Sequence, residues 1–195
     1  NSDIQRIGLE ETLTYNMLFN EHSLKIMGGF SYEDNKEFYT QVIGIQFPSN
    51  DLKWITSAGE INGGDANTTA YKLSSFFGRL QYDFNKKYLL QFIIRADGSS
   101  RFGSNNKYGY FPSASIAYRL SEEDFMKGID FLSDLKLRFS YGTTGNQNIG
   151  NFSSLGLWGT GNNYLGTPGI ATDQLPNPDL RWEKTTTIEG GINVG

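Results

Sequence analysis

The residues from Arg95 to Arg119 read R-A-D-G-S-S-R-F-G-S-N-N-K-Y-G-Y-F-P-S-A-S-I-A-Y-R. Apolar and polar residues alternate before and after a polar, Gly-rich loop at 98–109, which indicates two strands joined by that loop. The loop is too long for a tight hairpin turn. It contains no cysteine, no cluster of metal ligands and no catalytic set. The stretch therefore favours two strands of a β-barrel wall, joined by a long polar loop at the rim of the barrel.

The composition of the chain supports strands and limits the possible partners. Its 195 residues include 23 Gly, 11 Tyr and 14 Phe, an enrichment typical of strands and turns. A hydrophobic fraction of 37% suits a wall with one apolar and one polar face. The net charge of -4 and the lack of a basic cluster argue against a nucleic-acid partner. The absence of cysteine excludes disulfides and thiolate metal sites.

No signal peptide is expected, because the first residues show no charged start followed by an apolar run. No transmembrane helix is expected either, because no apolar run approaches ~18 residues. Barrel strands carry a much weaker sequence signal, so a membrane barrel stays possible.

Period-two alternation predicts seven strands. They cover about 9–19, 23–33, 73–84, 88–97, 110–120, 134–142 and 183–194. The connections alternate between short and long, which predicts short turns on one rim and long loops on the other. The segments 34–72 and 143–182 are interpreted as long polar connections. Ser121 is interpreted as the cap of one or two helical turns that extend toward Gly128.

Strands of about 9–11 residues match the tilted crossing of a ~25–30 Å apolar band, whereas globular strands more often have about 5–6 residues. The predicted fold is therefore all-β, an antiparallel up-and-down sheet that forms part of a transmembrane β-barrel. The alternative is a soluble carbohydrate-binding β-sandwich that uses loop aromatics. A sandwich would bury Leu13, Tyr82, Phe92 and Leu137 in one core, whereas a barrel wall leaves them outside.

Five blocks of sequence resemble one family when taken together in this order. They are D-G-S-S-R-F-G (97–103), Y-G-Y-F-P-S (108–113), L-S-E-E-D-F (120–125), L-K-L-R-F-S-Y-G-T-T-G-N (135–146) and P-N-P-D-L-R-W-E-K-T (176–185). The earlier segments 13–24 and 76–90 fit the same pattern. The chain thus resembles, over nearly its whole length, the C-terminal half of SusC/RagA-type TonB-dependent outer-membrane transporters of Bacteroidota.

The resemblance implies a barrel of about 22 strands with a plug domain inside it. It also implies a SusD-like surface lipoprotein as a lid, import of oligosaccharides or peptides powered through TonB, and neither a cofactor nor an enzymatic activity. On this basis residues 1–195 are about seven strands of the outer-membrane barrel, and the plug, the TonB box and the closing strand are expected outside the chain. These strands would be a passive scaffold that does not transport alone.

Candidate lumen-facing cations lie on the polar sides of the predicted strands. They are Arg79, Arg95, Arg119 and Arg138, together with Lys136. Inside a barrel they would line the lumen and could pair with a plug, whereas in a sandwich they would simply face water.

The three tryptophans are the candidates for carbohydrate stacking. Trp158, with Tyr164, lies in a Gly/Asn-rich loop and is predicted as a possible ligand or lid contact. Trp54 is expected to pack its own loop down with its neighbours Leu52 and Ile55. Trp182, at a strand start, is interpreted as a girdle residue at the membrane interface.

The remaining polar motifs favour structural roles over catalysis. His22, the single histidine, is predicted to be a solvated turn residue, because no third group positions it as a base. Asp97 is expected to cap a turn, Gly98 to supply a positive φ, and Arg101 to pair with nearby carboxylates, since the spacing matches no calcium loop. The acidic run 122–124 is too compact to flank a glycosidic bond. The chain is therefore predicted not to be an enzyme.

Overall fold

The computed structural model describes residues 1–126, 128 and 131–195, and strands dominate it. The strands are β1 (Ser2–Phe19), β2 (His22–Ile45), β3 (Glu60–Phe84), β4 (Tyr88–Ser99), β5 (Tyr108–Arg119), β6 (Leu135–Asn146), β7 (Leu157–Tyr164), β8 (Thr167–Gln174) and β9 (Glu183–Val194). Short 3₁₀ turns lie at Ile55–Ser57, Leu120–Glu122 and Asp124–Met126. Among the described residues, no helix combines the length and apolar character needed to cross a membrane.

Seven strands form one antiparallel sheet in the order β1-β2-β3-β4-β5-β6-β9, and β7 and β8 form a separate hairpin. Each strand of the large sheet pairs with the next strand of that sheet along the chain, with β7 and β8 left out between β6 and β9, which confirms the predicted up-and-down topology. All seven predicted strands are present, and the last one begins and ends where the alternation placed it. The β7–β8 hairpin lies inside the segment 143–182, where only a loop was predicted, so that prediction is wrong.

The prediction of a long loop over 34–72 is also wrong, because β2 and β3 continue through most of it. These strands have 24 and 25 residues, and their pairing runs from His22 opposite Phe84 to Ile45 opposite Glu60. A strand of that length extends roughly 80 Å, far more than a ~25 Å apolar band requires. Only residues 46–59 connect the two strands. The part of the two strands next to residues 46–59, about 34–45 and 60–72, lacks a regular apolar face, which is why period-two alternation missed it.

The connections divide between two rims as predicted. One rim carries the turns at 20–21 and 85–87 and the segment 120–134, and the other carries 46–59, 100–107 and 147–182. We call these the short-turn rim and the long-loop rim. Asn20 and Asn85 adopt left-handed φ values of 51° and 52° in the tight turns, a conformation that Asn tolerates.

The predicted cap at Ser121 is wrong. Ser121 lies within the 3₁₀ turn Leu120–Glu122, whose N-cap residue is Arg119 and carries no side-chain capping bond. The Ser121 hydroxyl instead donates a hydrogen bond of 3.4 Å to the Asp134 carboxylate. The next 3₁₀ turn covers Asp124–Met126. Lys127, over which the predicted helix would continue, lies outside the described residues.

The large sheet has no apolar core of its own. Among the described residues, the buried apolar side chains are Phe102, Phe111 and Trp182, which pack together near the long-loop rim. In contrast, Leu13 is 80% exposed and Phe92 is 53% exposed. A sandwich would have covered both side chains, so the single-layer sheet excludes the β-sandwich alternative.

Candidate functional site

One face of the sheet is apolar across all seven strands. The pairing register aligns Leu80 with Phe92, Phe92 with Ala114, and Ala114 with Tyr141, so apolar rows run from strand to strand. Successive residues point to opposite faces. The exposed members of this apolar face include Leu13, Ile26, Phe76, Phe92, Ile94, Ile116, Leu137, Phe139, Ile188 and Ile192. A patch this continuous is unusual for a surface in contact with water.

An aromatic row closes the apolar face at the short-turn rim. The rings of Phe19, His22, Phe84, Tyr88 and Tyr118 follow one another with centroid separations of 6.4, 4.7, 6.2 and 5.0 Å. Barrels in membranes carry such aromatic girdles at the edge of their apolar band. No sequence-based prediction named this row, although aromatic residues flanking the turns at 20–21 and 85–87 were a visible signal.

The prediction that His22 is a solvated turn residue is wrong. His22 is the first residue of β2, is half-buried, and its Nδ1 lies 2.7 Å from the Tyr82 hydroxyl. Its ring also stacks on Phe84 in the aromatic row. The histidine therefore contributes an amphipathic ring to the row, with a polar atom that is hydrogen-bonded.

The opposite, polar face carries the predicted arginines, and the structure spreads them out. Arg79 places one guanidinium nitrogen 3.3 Å from the Met27 sulfur, and its Nε has no hydrogen-bond partner within the described part of the chain. Arg119 lies at the short-turn rim, 3.6 Å from the Asp134 carboxylate. Arg138 is exposed on β6. These side chains share a face, but they do not form one site.

Arg95 is the arginine held most firmly on the polar face. Its Nε donates hydrogen bonds of 2.6 and 2.8 Å to the two carboxylate oxygens of Asp97, and a terminal nitrogen donates one of 2.9 Å to the Ser75 hydroxyl. Asp97 and Ser75 are buried. Asp97 thus pairs with a cation two residues away in β4, and the prediction that it caps a turn is wrong.

Two neighbours of Asp97 also differ from expectation. Gly98 lies within β4, and the Tyr108 ring covers it so closely that an added Cβ would collide, so close approach rather than positive φ explains the glycine. Arg101 donates to the Asn151 side-chain oxygen at 2.7 Å and to the Gln147 carbonyl at 3.0 Å. The predicted pairing of Arg101 with carboxylates is therefore wrong, since its partners here are neutral.

Trp182 lies in a buried cluster and not at a membrane interface. It is only 7% exposed, its ring centroid lies 4.5 Å from that of Phe102 and 5.4 Å from that of Phe111, and its indole N–H donates to the Lys107 carbonyl at 3.0 Å. The girdle prediction for Trp182 is wrong. Trp182 stands between Arg181 and Glu183, so its sequence neighbours gave no apolar pattern from which this burial could be inferred.

Two loops at the long-loop rim are joined around Trp182. We call them the clasp; they comprise residues 99–107 and 176–182. The Gly103 N–H donates to the Leu180 carbonyl at 2.9 Å, and the Asn105 N–H donates to the Pro178 carbonyl at 3.1 Å. A side chain on Gly103 would collide with the Pro178 carbonyl. Two of the sequence blocks that define the resemblance are therefore one structural unit.

The β7–β8 hairpin separates the two predicted contact residues. Trp158 pairs with Thr172 and Tyr164 pairs with Thr167, and the register shifts between them at Thr160. The two partners in β8 are an odd number of residues apart, so Trp158 and Tyr164 lie on opposite faces of the hairpin. Both side chains are exposed, at 71% and 79%. Each could contact a ligand, but they cannot form a single stacking platform.

The prediction that Trp54 packs its own loop down is wrong. Trp54 is 79% exposed, and its neighbours Leu52 and Ile55 are exposed as well. The loop 46–59 thus presents apolar side chains outward at the tip of the long β2–β3 hairpin.

A polar triad at the short-turn rim was not predicted. The Lys87 ammonium donates to one Glu123 carboxylate oxygen at 3.0 Å, and the Tyr118 hydroxyl donates to the other at 2.8 Å. These two hydrogen bonds lower the pKa of Glu123. The Glu123 carboxylate in turn raises the pKa of Lys87. Sequence had suggested only a helix terminus for Glu123, because its partner lies 36 residues away.

We expect the Lys87–Glu123 pair to make stability depend on pH. Because the pKa of Glu123 is lowered on folding, its contribution is present above the usual Glu range and is lost as the pH falls through the lowered value. The gap in thermal unfolding midpoint between wild type and Glu123→Gln should therefore be constant near neutral pH and shrink below about pH 4. At alkaline pH the gap should shrink only above the usual lysine range, because the pKa of Lys87 is raised.

The matched control for this pair is Glu122→Gln. Glu122 is more exposed and lies 4.0 Å from Arg119, so its replacement should change the midpoint little at any pH. A gap for Glu123→Gln that is as large at pH 3 as at pH 7 would contradict the assignment.

No other chemistry is apparent in the part of the chain that the structure describes. Within it, no group of His, Cys, Asp and Glu side chains is arranged to hold a metal ion. What the geometry defines is a barrel-wall segment with an apolar face, a polar face and an ordered cluster of loops at one rim.

Comparison with known proteins places this wall segment in a family. The family described as "TonB dependent receptor-like, beta-barrel" matches residues 2–195, and the chain belongs to it. Within that family it is of the SusC/RagA type, as the sequence blocks predicted. The matched relatives are receptors and transporters, not enzymes, which agrees with the predicted lack of catalysis.

Three matches illustrate the similarity. TonB-dependent receptor P39 of Formosa agariphila is 40% identical over 190 residues, which is 95% of this chain and 18% of that protein. TonB-dependent receptor SusC of Bacteroides thetaiotaomicron is 42% identical over 137 residues, 67% of this chain and 14% of that protein. The structure of the RagAB peptide transporter matches with a TM-score of 0.90 and 30% identity, over 100% of this chain and 22% of that one. The matched part of the chain thus spans 14–22% of the length of these relatives.

Proposed function

We propose that this chain is part of the barrel wall of an outer-membrane transporter that imports nutrients with energy supplied through TonB. The observation that carries the proposal is the apolar face, which continues across all seven strands and ends at the aromatic row. Such a face is stable in contact with lipid, whereas its exposure to water is unfavourable. The polar face then lines the lumen, with Arg79, Arg95, Arg119 and Arg138 along it.

The proposed location also explains the edges of the sheet. β1 and β9 stand at the two ends of the strand order and offer backbone groups for further pairing. Unpaired sheet edges are not tolerated in hydrocarbon, so a barrel must close. We propose that other strands of a full-length receptor pair with β1 and β9, as the greater length of the relatives supports.

We also propose a SusD-like lipoprotein as the external partner. The β2–β3 hairpin extends well beyond the length needed to cross an apolar band, on the side of the long loops. Its upper part leaves Phe38, Val42 and Ile61 exposed, and Trp54 lies at its tip. Apolar side chains in that position suit a protein partner outside the membrane. Trp158 and Tyr164 are proposed to contact the lid or the nutrient from the two faces of the β7–β8 hairpin.

The proposed nutrient is an oligosaccharide or a peptide. The similarity to the RagAB peptide transporter supports the peptide class, and the similarity to SusC supports the same transporter type. In this role the strands perform no covalent chemistry. They provide a rigid wall while TonB supplies the force that opens the path.

The test is uptake by the full-length receptor in outer membranes with and without a functional TonB. We expect uptake of labelled peptides or labelled oligosaccharides that disappears when TonB is removed, and a receptor that leaves the membrane only in detergent. A receptor recovered in the aqueous phase without detergent would contradict the membrane location. TonB-independent uptake of both classes would contradict the transport mechanism.

A further inference from the structure

A depression interrupts the apolar face where β3, β4, β5 and β6 lie side by side. It has a volume of about 360 Å³, and its lining includes Gly78, Phe92, Ile94, Pro112, Ala114 and Tyr141. Gly78 has no side chain and Ala114 has only a methyl group, so both leave space between their larger neighbours. The lining is almost wholly apolar. We call this depression the groove.

The groove lies near the middle of the proposed apolar band. Phe92 and Ile94 are four and six residues from Tyr88 of the aromatic row along β4. That separation is roughly 13–20 Å along the strand, or roughly 10–15 Å in depth for a strand tilted by about 40°. Neither water nor a polar group is stable at this depth. The occupant that suits the groove there is a hydrocarbon chain.

A basic cleft lies beyond the groove along β5, between that strand, the start of β9 and the loops that precede both strands. Pairing between β5 and β6 ends at Ser113 opposite Gly142, next to Pro112, which has no N–H to donate. Above this point a cleft of about 430 Å³ is lined by Tyr108, Arg181 and Lys184 among others. Tyr108 is four residues beyond Pro112 in β5, roughly 13 Å further toward the long-loop rim.

The two cations of the cleft are available to a ligand. Arg181 and Lys184 are exposed. Within the described ranges, neither forms an ion pair with a carboxylate, and the Lys184 ammonium lies 5.7 Å from the centroid of the Phe111 ring. Two cations that line one cleft without a carboxylate partner in the described ranges stand out in a chain whose net charge is -4. They fit a phosphate group.

We propose that the groove and the cleft together bind one anionic lipid of the outer leaflet. Its acyl chain occupies the groove, and its phosphate contacts Arg181 and Lys184. The proposal rests on the proposed function, because it requires that the apolar face meets lipid and that the long-loop rim is external. Apolar burial supplies affinity for any acyl chain, and the two cations supply the preference for a negative headgroup.

The test uses the full-length receptor, purified in detergent, and native mass spectrometry with added lipid. The probes are dioleoyl phosphatidic acid, which is anionic, and dioleoyl phosphatidylcholine, which is zwitterionic. Joint replacement Arg181→Gln and Lys184→Gln should lower the retention of phosphatidic acid about tenfold and leave phosphatidylcholine unchanged. Ala114→Leu, which fills the groove, should lower the retention of both lipids. Inorganic phosphate should not displace either lipid, because it has no chain.

The matched control replaces two cations on the polar face, Lys136→Gln and Arg138→Gln, and should not change lipid retention. Equal retention in all variants, or an equal loss in the control, would overturn the lipid site. A change in the number of receptor copies on Ala114→Leu would overturn it as well, because the groove would then be an interface between copies. A receptor that is soluble without detergent would refute the proposed function, whereas a membrane barrel with unchanged retention would refute only the lipid site.

Discussion

Replacement of Ala114 by arginine should destabilise the barrel by about 2–4 kcal/mol, whereas the same change at the adjacent Ser115 should be tolerated. Ala114 lies on the apolar face, in register with Phe92 and Tyr141, near the middle of the proposed band. An arginine there must place its charge in hydrocarbon. Ser115 lies on the polar face, between Gln91 and Ser140, where an arginine can meet water.

The measurement is the amount of folded receptor in the outer membrane and its resistance to unfolding by denaturant. The pair is well matched, because both changes put arginine in place of a small side chain at neighbouring positions of one strand. A similar loss for both variants would show that steric bulk, and not lipid exposure, decides the effect. Tolerance of Ala114→Arg would contradict the assignment of the apolar face to lipid.

Replacement of Trp182 by alanine should cost about 3–5 kcal/mol in the stability of the clasp, the range for truncating a buried aromatic side chain. The change removes the ring contacts with Phe102 and Phe111 and the hydrogen bond to the Lys107 carbonyl. Because the clasp joins the loops before β5 and before β9, both should open together. Amide hydrogen exchange over these loops should rise, while exchange in β1–β4 should not.

Trp158 and Trp54 provide the matched controls, because both are exposed. Their replacement by alanine should change stability by no more than about 0.5 kcal/mol. Trp182→Phe should recover most of the ring contact and lose only the N–H donor, at a cost of about 1 kcal/mol. If Trp182→Ala and Trp158→Ala raise loop exchange equally, Trp182 does not hold the clasp together.

The accuracy of the sequence-based predictions followed the presence of an apolar face. Where one side of a strand is apolar, as in β4 with Phe92 and Ile94, alternation located the strand and its outward side correctly. In the part of the β2–β3 hairpin next to its connecting loop, about 34–45 and 60–72, no single face is apolar, and these strands were mistaken for a loop. The residues Thr40, Val42 and Ile43 carried a strand propensity that a weaker criterion would have found.

Several errors at single residues have a common origin. Arg101 and Trp182 were each assigned a partner or a place from their neighbours in sequence. The structure gives Arg101 and Trp182 partners 46 and 75 residues away, at Gln147 and Lys107. Glu123 likewise meets Lys87, 36 residues away. An interpretation based on neighbouring residues cannot predict such long-range contacts in loops, because no periodic pattern constrains the loop conformation.

By itself the sequence determined the strand order, the short-turn and long-loop rims, the two unlike faces of the wall and the family to which the chain belongs. These properties are local or periodic. Successive side chains of a strand point to opposite faces, so the alternation of apolar and polar residues in the sequence shows which residues share a face. Only the tertiary structure decided the pairing of the clasp around Trp182, the aromatic row and the groove above it. Each of these depends on the lateral register between strands, which brings together side chains that the linear chain keeps apart.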